Sequence, residues 1–181
     1  PDKNILNKIN MTVDDKIIVI RLVKWNSTHD IKHHGIENKF ALIDELKDHA
    51  NIIITSEEKD KRLEKFSYNL SPTDLHHLLY FSSLYIGDGG TTASEAAILG
   101  THSIHISTKA KYVGNFTELN SYDLLYTFED QSDAITLAKK LLKDNNLKRK
   151  GKEKRKILIG HKIDVTKFMY DFIIRVYAEF R

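Results

Sequence analysis

Two kinds of apolar segment alternate along the chain, and their order predicts a fold. Short runs rich in β-branched residues predict buried strands at 16–23, 51–56, 84–88, 102–107 and 124–128. Segments with apolar residues every three or four positions predict helices at 38–49, 71–83, 91–99, 132–143 and 165–180. Strands that alternate with helices through short connections form a parallel sheet covered on both faces. The sequence therefore predicts a doubly wound, Rossmann-like α/β fold.

The same pattern divides the chain into three parts. We expect residues 1–15 to be a lead-in that lies outside the core, and residues 16–147 to form the α/β domain. Residues 148–181 combine a dense run of lysine and arginine with a last helix, which we expect to pack on the same domain. This basic run has two interpretations, a contact with anionic lipid at a membrane surface or, more commonly, a solvated helix face.

Composition narrows the class of protein. An apolar content of 41% over 181 residues is enough to build a core. The absence of cysteine excludes disulfides, thiolate catalysis and zinc sites with cysteine ligands, and it fits a cytoplasmic protein. No apolar run approaches the roughly 20 residues of a membrane span. A net charge of +3 is too small to indicate a nucleic-acid partner.

The most distinctive motif is the segment 87–100, GDGGTTASEAAILG, in which a strand ends and a helix of small residues begins. Ligands of parallel sheets bind beyond the carboxyl ends of the strands. Glycines let the backbone approach a ligand, and a helix start offers free amides and a positive dipole end to a phosphate. We therefore interpret the segment as an anion site. Two alternatives remain open, a capping box from Thr92 to Glu95 and a plain turn at Gly89 and Gly90.

A second polar loop follows the first predicted strand, in the sequence Arg21-Leu-Val-Lys-Trp-Asn-Ser-Thr-His-Asp30. The topology puts this loop on the same rim of the sheet as the glycine segment, so its polar side chains suit a ligand site. His29 is a candidate phosphate contact, acid or base. The alternatives are that Trp25 covers a sheet edge and that His29 is a surface residue. A metal site at His29-Asp30-x-x-His33-His34 is a more distant alternative.

Four separate segments resemble one family. Residues 21–30, 54–57, 71–76 and 85–100 together resemble the uncharacterised DUF354 family, in order and over roughly residues 16–128. Members of this family are predicted glycosyltransferases, similar to UDP-N-acetylglucosamine 2-epimerases, with the two-domain GT-B fold. The resemblance implies that this chain is the carboxyl-terminal, nucleotide-binding half. Thr28-His29-Asp30 has aspartate where the epimerases have arginine, which departs from the epimerase pattern.

The resemblance also implies roles for single residues. The glycine turn would contact a diphosphate, Glu95 the ribose hydroxyls, and the end of the second strand would line the same cleft. His29 is the candidate catalytic residue. The substrate-binding candidates are Arg21, Trp25, Asn26, Ser27, His29, Ser56, Glu57, Gly89, Gly90, Thr91, Thr92 and Glu95.

These roles predict a nucleotide-sugar substrate, most simply a UDP-sugar, with no further cofactor and no metal. The full-length protein would be a glycosyltransferase or an epimerase-like enzyme of polysaccharide or glycoconjugate synthesis. Its partners would be its own amino-terminal domain and, through the basic run, an anionic membrane surface. The isolated chain is expected to be inactive. The alternatives are a non-catalytic nucleotide-binding module and, more distantly, a metal-dependent phosphohydrolase.

Overall fold

The computed structural model describes residues 1–24, 34–57, 60–108 and 114–179. Within these residues the core is a parallel sheet of five strands in the order β2-β1-β3-β4-β5. The strands are β1 (Ile17–Leu22), β2 (Asn51–Ser56), β3 (Leu84–Gly87), β4 (His102–Ile106) and β5 (Leu125–Phe128). The predicted doubly wound, Rossmann-like α/β fold is therefore confirmed.

The described ranges also contain eight α-helices and one 3-10 helix. They are α1 (Asn4–Lys8), α2 (Lys39–Leu46), the 3-10 helix Lys61–Phe66, α3 (Asp74–Phe81), α4 (Gly90–Ile98), α5 (Gly114–Ser121), α6 (Gln131–Leu142), α7 (Leu147–Gly160) and α8 (Val165–Glu179). The predicted helices all appear, but α3 begins two residues later than predicted, since the sequence suggested Ser71 as its N-cap and Pro72 as its first residue. The N-cap position is instead occupied by Thr73, and Ser71 donates from its amide and hydroxyl to the carboxylate of Asp74.

Two apolar layers sandwich the sheet, which explains why the first four residues of β1, Ile17–Ile20, are all apolar. Ile18 and Ile20 belong to the cluster that includes side chains of α2 and α6. Ile17 and Val19 belong to the opposite cluster, which includes side chains of α1, α3, α4 and α5. Because successive side chains of a strand point to opposite faces, a strand that is covered on both sides must be apolar at every position.

The start of the chain corrects one expectation. Residues 1–15 were expected to lie outside the core, but α1 and the residue after it bury Ile5, Leu6 and Ile9 there. The ammonium of Lys8 donates to both carboxylate oxygens of Asp74 on α3, at 2.8 and 2.9 Å, and this contact lowers the pKa of Asp74 to about 2. A helix of five residues is too short to show a periodic pattern, which is why the sequence did not reveal it.

The basic run forms much of α7, and part of it is turned toward the protein, while Arg149, Lys150 and Lys156 are exposed. Lys152 donates to the carbonyls of Tyr80 and Leu99, and Arg155 donates to the carbonyl of Ile98. The last carbonyls of a helix have no partner within it, so these two side chains cap the end of α4. Four more basic side chains of α7 donate hydrogen bonds to a carboxylate or to a backbone carbonyl: Lys148, Arg149, Lys150 and Lys154. The contact with anionic lipid stays a prediction.

The last helix, α8, differs from the expectation that it packs on the domain. It forms at the predicted place but buries none of its residues, and Phe168 and Tyr170 are among its exposed large side chains. A periodic apolar pattern indicates that a helix has a partner without indicating where that partner lies. No helix in the described ranges is long and apolar enough to cross a membrane. The domain boundaries at residues 15 and 147 stay predictions.

Candidate functional site

The strand order places a crevice between β1 and β3. From β1 the chain turns outward to β2 on one side, and it later returns to add β3, β4 and β5 on the other. In open parallel sheets such a reversal leaves a crevice beyond the carboxyl ends of the two central strands, and ligands bind there. The two loops singled out from the sequence follow β1 and β3, so both begin at this crevice.

Part of the predicted site lies outside the described residues. Trp25, Asn26, Ser27 and His29 fall in the range 25–33, and so does most of the histidine-rich metal motif. Their roles, including that of His29 as the catalytic candidate, stay predictions. Among the residues that the structure does describe, no three histidine, aspartate or glutamate side chains form a group suited to a metal ion.

The glycine segment forms an uncapped helix start. Helix α4 begins at Gly90 with Gly89 as its N-cap, and no side chain caps it. Its first internal hydrogen bond runs from the Ala93 amide to the Gly89 carbonyl at 3.1 Å, so the amides of Gly90, Thr91 and Thr92 precede the hydrogen-bonded turns. The capping-box alternative is wrong, because Thr92 is the third residue of the helix rather than its cap.

The accessibility of this helix start differs from residue to residue. Thr91 is exposed, and Gly89 and Gly90 are half-buried. Thr92 is buried and its hydroxyl forms a hydrogen bond with that of Tyr85, which itself donates to the carbonyl of Gly89 at 3.3 Å. The backbone of the turn and the Thr91 side chain therefore face the rim, whereas Thr92 contributes its amide but not its side chain.

Packing explains two glycines of this segment. A Cβ atom at Gly87 would overlap the Tyr85 hydroxyl and lie 2.8 Å from the carbonyl oxygen of Arg21. A Cβ atom at Gly90 would lie 3.0 Å from the ring of Phe116 and 3.7 Å from Nε2 of His105. Both positions must be small even without a ligand. The glycines alone therefore do not establish an anion site, and substitutions at them would disturb packing as well as binding.

A cation lies beside the turn. Arg21, at the end of β1, donates from Nη2 to Oε1 of Glu57 at 3.0 Å, and its side chain is 23% exposed. Its Nε lies 4.0 Å from the position that a Cβ atom of Gly89 would occupy. The other carboxylate oxygen of Glu57 accepts the Lys24 amide at 3.1 Å. The structure thus brings Arg21 and Glu57 together next to Gly89, while Ser56 lies exposed at the end of β2.

Glu95 sits one turn further along α4, on the side of α3. Its Oε2 lies 3.3 Å from Nε2 of His76, and the two side chains are 37% and 56% exposed. Solvent and ligand can therefore reach both. His76 belongs to the segment 71–76 that carries the family resemblance, but the sequence did not indicate that it lies against Glu95. Pairing between separate helices leaves no local spacing signal.

Two further residues support the turn and were missed from the sequence. Asp88 accepts the amides of Val23 and Ile36 through its two carboxylate oxygens, at 2.9 and 3.5 Å. The ring of His105 lies on Phe116 with 4.9 Å between ring centres, and its Nε2 is 3.3 Å from the Asp88 carbonyl oxygen. Burial lowers the pKa of His105 to about 4, so its ring is neutral at pH 7.

Solved structures share this fold. The complex of S. aureus MnaA with UDP is similar at a TM-score of 0.56 and 17% identity, over 83% of this chain and 42% of that one. The H548A variant of the wall teichoic acid polymerase TagF is similar at 0.54 and 15% identity, over 97% and 47%. The glycotransferase of kitacinnamycin is similar at 0.52 and 13%, over 91% and 44%.

These similarities are low in sequence identity and cover only part of each solved chain. At such low identity they establish the fold, which is the one expected for half of a GT-B enzyme. This chain spans less than half of each of these three chains, between 42% and 47%. No curated protein matches the sequence. The family model described as "Protein of unknown function (DUF354)" matches residues 1–176, and the chain therefore belongs to the DUF354 family.

Proposed function

We propose that this chain is the sugar-nucleotide-binding half of a GT-B glycosyltransferase or epimerase-like enzyme that acts in polysaccharide or glycoconjugate synthesis. The observation that carries the proposal is the uncapped, partly exposed start of α4, which lies at the crevice between β1 and β3 with the guanidinium of Arg21 beside it. Free amides, the positive end of the helix dipole and a cation together favour a diphosphate.

The proposed chemistry assigns a separate task to each group. The amides of Gly90 and Thr91 hold the diphosphate, and Arg21 balances its charge as the bond to the sugar breaks. Glu95, which solvent can reach, accepts hydrogen bonds from the ribose hydroxyls. To do so it turns from His76, and a contact between two exposed side chains contributes little that would hold it there.

The remaining assignments belong to the same proposal. His29 acts as an acid, a base or a phosphate contact, and the acceptor site comes mostly from an amino-terminal half, as the resemblance implies. The nucleotide-sugar is the substrate, and no other cofactor takes part. The fold similarity to MnaA, solved with UDP, makes UDP the first ligand to test. The protein acts in the cytoplasm, and its basic run contacts an anionic membrane surface there.

Titration calorimetry of the purified chain with UDP tests the proposal. We expect weak but saturable binding. Arg21→Gln should weaken UDP binding by about tenfold, since a hydrogen bond to a charged group contributes roughly 1.5–3 kcal/mol, and leave the binding of uridine unchanged. Glu95→Ala should weaken the binding of both UDP and uridine, because both ligands contain the ribose. Glu153→Ala removes an exposed carboxylate from α7 and is therefore the charge-matched control for Glu95→Ala.

Two results would count against this site. One is the absence of heat and of thermal stabilisation with every nucleoside diphosphate in a panel. The other is wild-type affinity for UDP in both the Arg21 and the Glu95 variants. The alternative of a binding module without catalysis is tested separately, by assaying a protein that includes the upstream half for hydrolysis of, or transfer from, a nucleotide-sugar. Binding without turnover in that protein favours the module.

A further inference from the structure

Asp88 occupies a position from which it connects both loops of the crevice. It is the first residue after β3 and stands directly before Gly89, the N-cap of α4. Its Oδ1 accepts the amide of Val23 at 2.9 Å, and its Oδ2 lies 3.5 Å from the amide of Ile36. Val23 and Ile36 bracket the loop between β1 and α2, so one carboxylate holds both ends of that loop.

Burial makes these two hydrogen bonds necessary for the stability of the carboxylate. Asp88 is only 7% exposed, and a buried carboxylate is stable only where donors surround it. The Asp88 carbonyl is also 3.3 Å from Nε2 of His105 on β4, so the backbone at this residue is anchored to the neighbouring strand. A Cβ atom at Gly89 would lie 3.0 Å from a methyl group of Val23, so the loop and the glycine turn are already in contact.

We propose that Asp88 is a positioning residue for nucleotide binding: its carboxylate holds Val23 and Ile36, at the two ends of the connection between β1 and α2, against the glycine turn before the ligand arrives. This inference rests on the proposed function, and it concerns how the same site is pre-organised. A site whose backbone is already held in place binds its ligand without first losing conformational freedom.

Asp88→Asn is the sharpest change, because it keeps the size and one acceptor but places an amide NH2 group toward one of the two backbone donors. In the ligand-free protein, hydrogen exchange should accelerate about tenfold at the amides of Val23 and Ile36. The Ser107 amide, which donates to the Phe128 carbonyl at 2.8 Å, should keep its rate. In titrations, UDP affinity should fall by about fivefold to tenfold.

Asp74→Asn is the matched control. Asp74 is also a buried carboxylate, 8% exposed, that accepts a backbone amide, but it joins α1 to α3 through Lys8. We expect this variant to lose stability and to keep its UDP affinity. Asp88→Glu retains the charge and moves the carboxylate by one methylene. It should show the same faster exchange and the same loss of UDP affinity as Asp88→Asn, and it replaces that variant if Asp88→Asn does not fold.

Three outcomes would overturn the inference. They are unchanged exchange at Val23 and Ile36 in the Asp88 variants, faster exchange with unchanged UDP affinity, and an equal loss of UDP affinity in Asp74→Asn. The last would mean that general destabilisation, rather than the loop, weakens binding. Failure of the proposed function looks different, because the wild-type protein would then bind no nucleoside diphosphate while the exchange rates would still report on the loop.

Discussion

Replacing Gly151 by alanine is expected to lower the free energy of unfolding by about 3 kcal/mol, the upper end of the usual cost of overpacking a filled site. Gly151 lies in α7, where a Cβ atom would overlap the carbonyl oxygen of Gly100 and lie 3.2 Å from its carbonyl carbon. Both obstacles are backbone atoms, so no rotation of a side chain can relieve the contact. Gly100 has a φ of +80°, a conformation that residues with a side chain rarely adopt, so this position also favours glycine.

The consequence would extend beyond one contact. Helix α7 meets the end of α4 at this point, and Arg155 and Lys152 donate to the carbonyls of Ile98 and Leu99 there. Pushing α7 away from Gly100 would lengthen these hydrogen bonds as well. We therefore expect Gly151→Ala to shift the end of α4, the helix whose start forms the candidate site, and to reduce UDP binding less than it reduces stability.

Urea denaturation of the variant and of the wild type measures this effect. Gly160→Ala is the control in the same helix, because no atom lies within 4 Å of the position that its Cβ would occupy. Since alanine stabilises a helix relative to glycine, this control should be neutral or more stable by up to about 1 kcal/mol. Equal urea midpoints for the two variants would contradict the close approach of α7 to Gly100.

The contrast between these glycines illustrates what the sequence can predict. The strands were predictable because their apolar runs are local and continuous, as in Ile17–Ile20 at the start of β1. The basic residues around Gly151 predict a solvated helix face, and only the packing of α7 on α4 explains why a glycine interrupts them. The short helix Asn4–Lys8 was missed for a related reason, since its anchor, Asp74, lies far away along the chain.

The candidate site likewise has one part that the sequence predicted and another that it did not. The glycine segment was recognisable because a strand end, a turn and a helix start follow one another directly. Its neighbours were not, because Arg21 reaches Glu57 and Asp88 reaches Val23 only once the sheet has formed. The capping box that Thr92 and Glu95 suggested failed because the helix begins at Gly90, too early for Thr92 to serve as its cap.

Acidification from pH 7 to pH 4.5 is expected to lower the free energy of unfolding by about 5 kcal/mol, a large part of the 5–15 kcal/mol that stabilises a typical domain. The cause is a pair of buried histidines on β4. His102 is 2% exposed and His105 is 4% exposed. Burial lowers the pKa of each from 6.5 to about 4, and the nearby ammonium of Lys154 adds to the effect at His102.

The direction follows from where the protons bind. Between pH 6.5 and pH 4 the unfolded chain takes up protons at both histidines, while the folded chain does not. The stability that the neutral rings provide is therefore complete above about pH 6.5 and is lost as the pH falls toward 4. The lowering of each histidine pKa from 6.5 to about 4 corresponds to roughly 3 kcal/mol. Carboxylates such as Asp74, whose pKa is lowered to about 2, lose their contribution at still lower pH.

Urea titrations at a series of pH values measure the loss of free energy of unfolding. NMR titration of the imidazole protons then assigns this loss to His102 and His105. In His105→Gln the pH dependence between 6.5 and 4 should fall to about half, because one of two equal contributions is gone. His49→Gln, which changes an exposed histidine, should leave the slope as in the wild type. A wild-type slope in His105→Gln, or an imidazole pKa near 6.5 for both rings, would refute the prediction.

The position of His105 links this titration to the candidate site. Its Nε2 lies 3.3 Å from the carbonyl oxygen of Asp88, one residue before the glycine turn. Within the described residues its Nδ1 has no hydrogen-bond partner, so protonation there would bury an N–H donor that lacks an acceptor. Because the folded chain keeps His105 neutral above about pH 4, the turn should stay in place until the domain unfolds. UDP affinity is then expected to fall together with the folded fraction as the pH is lowered.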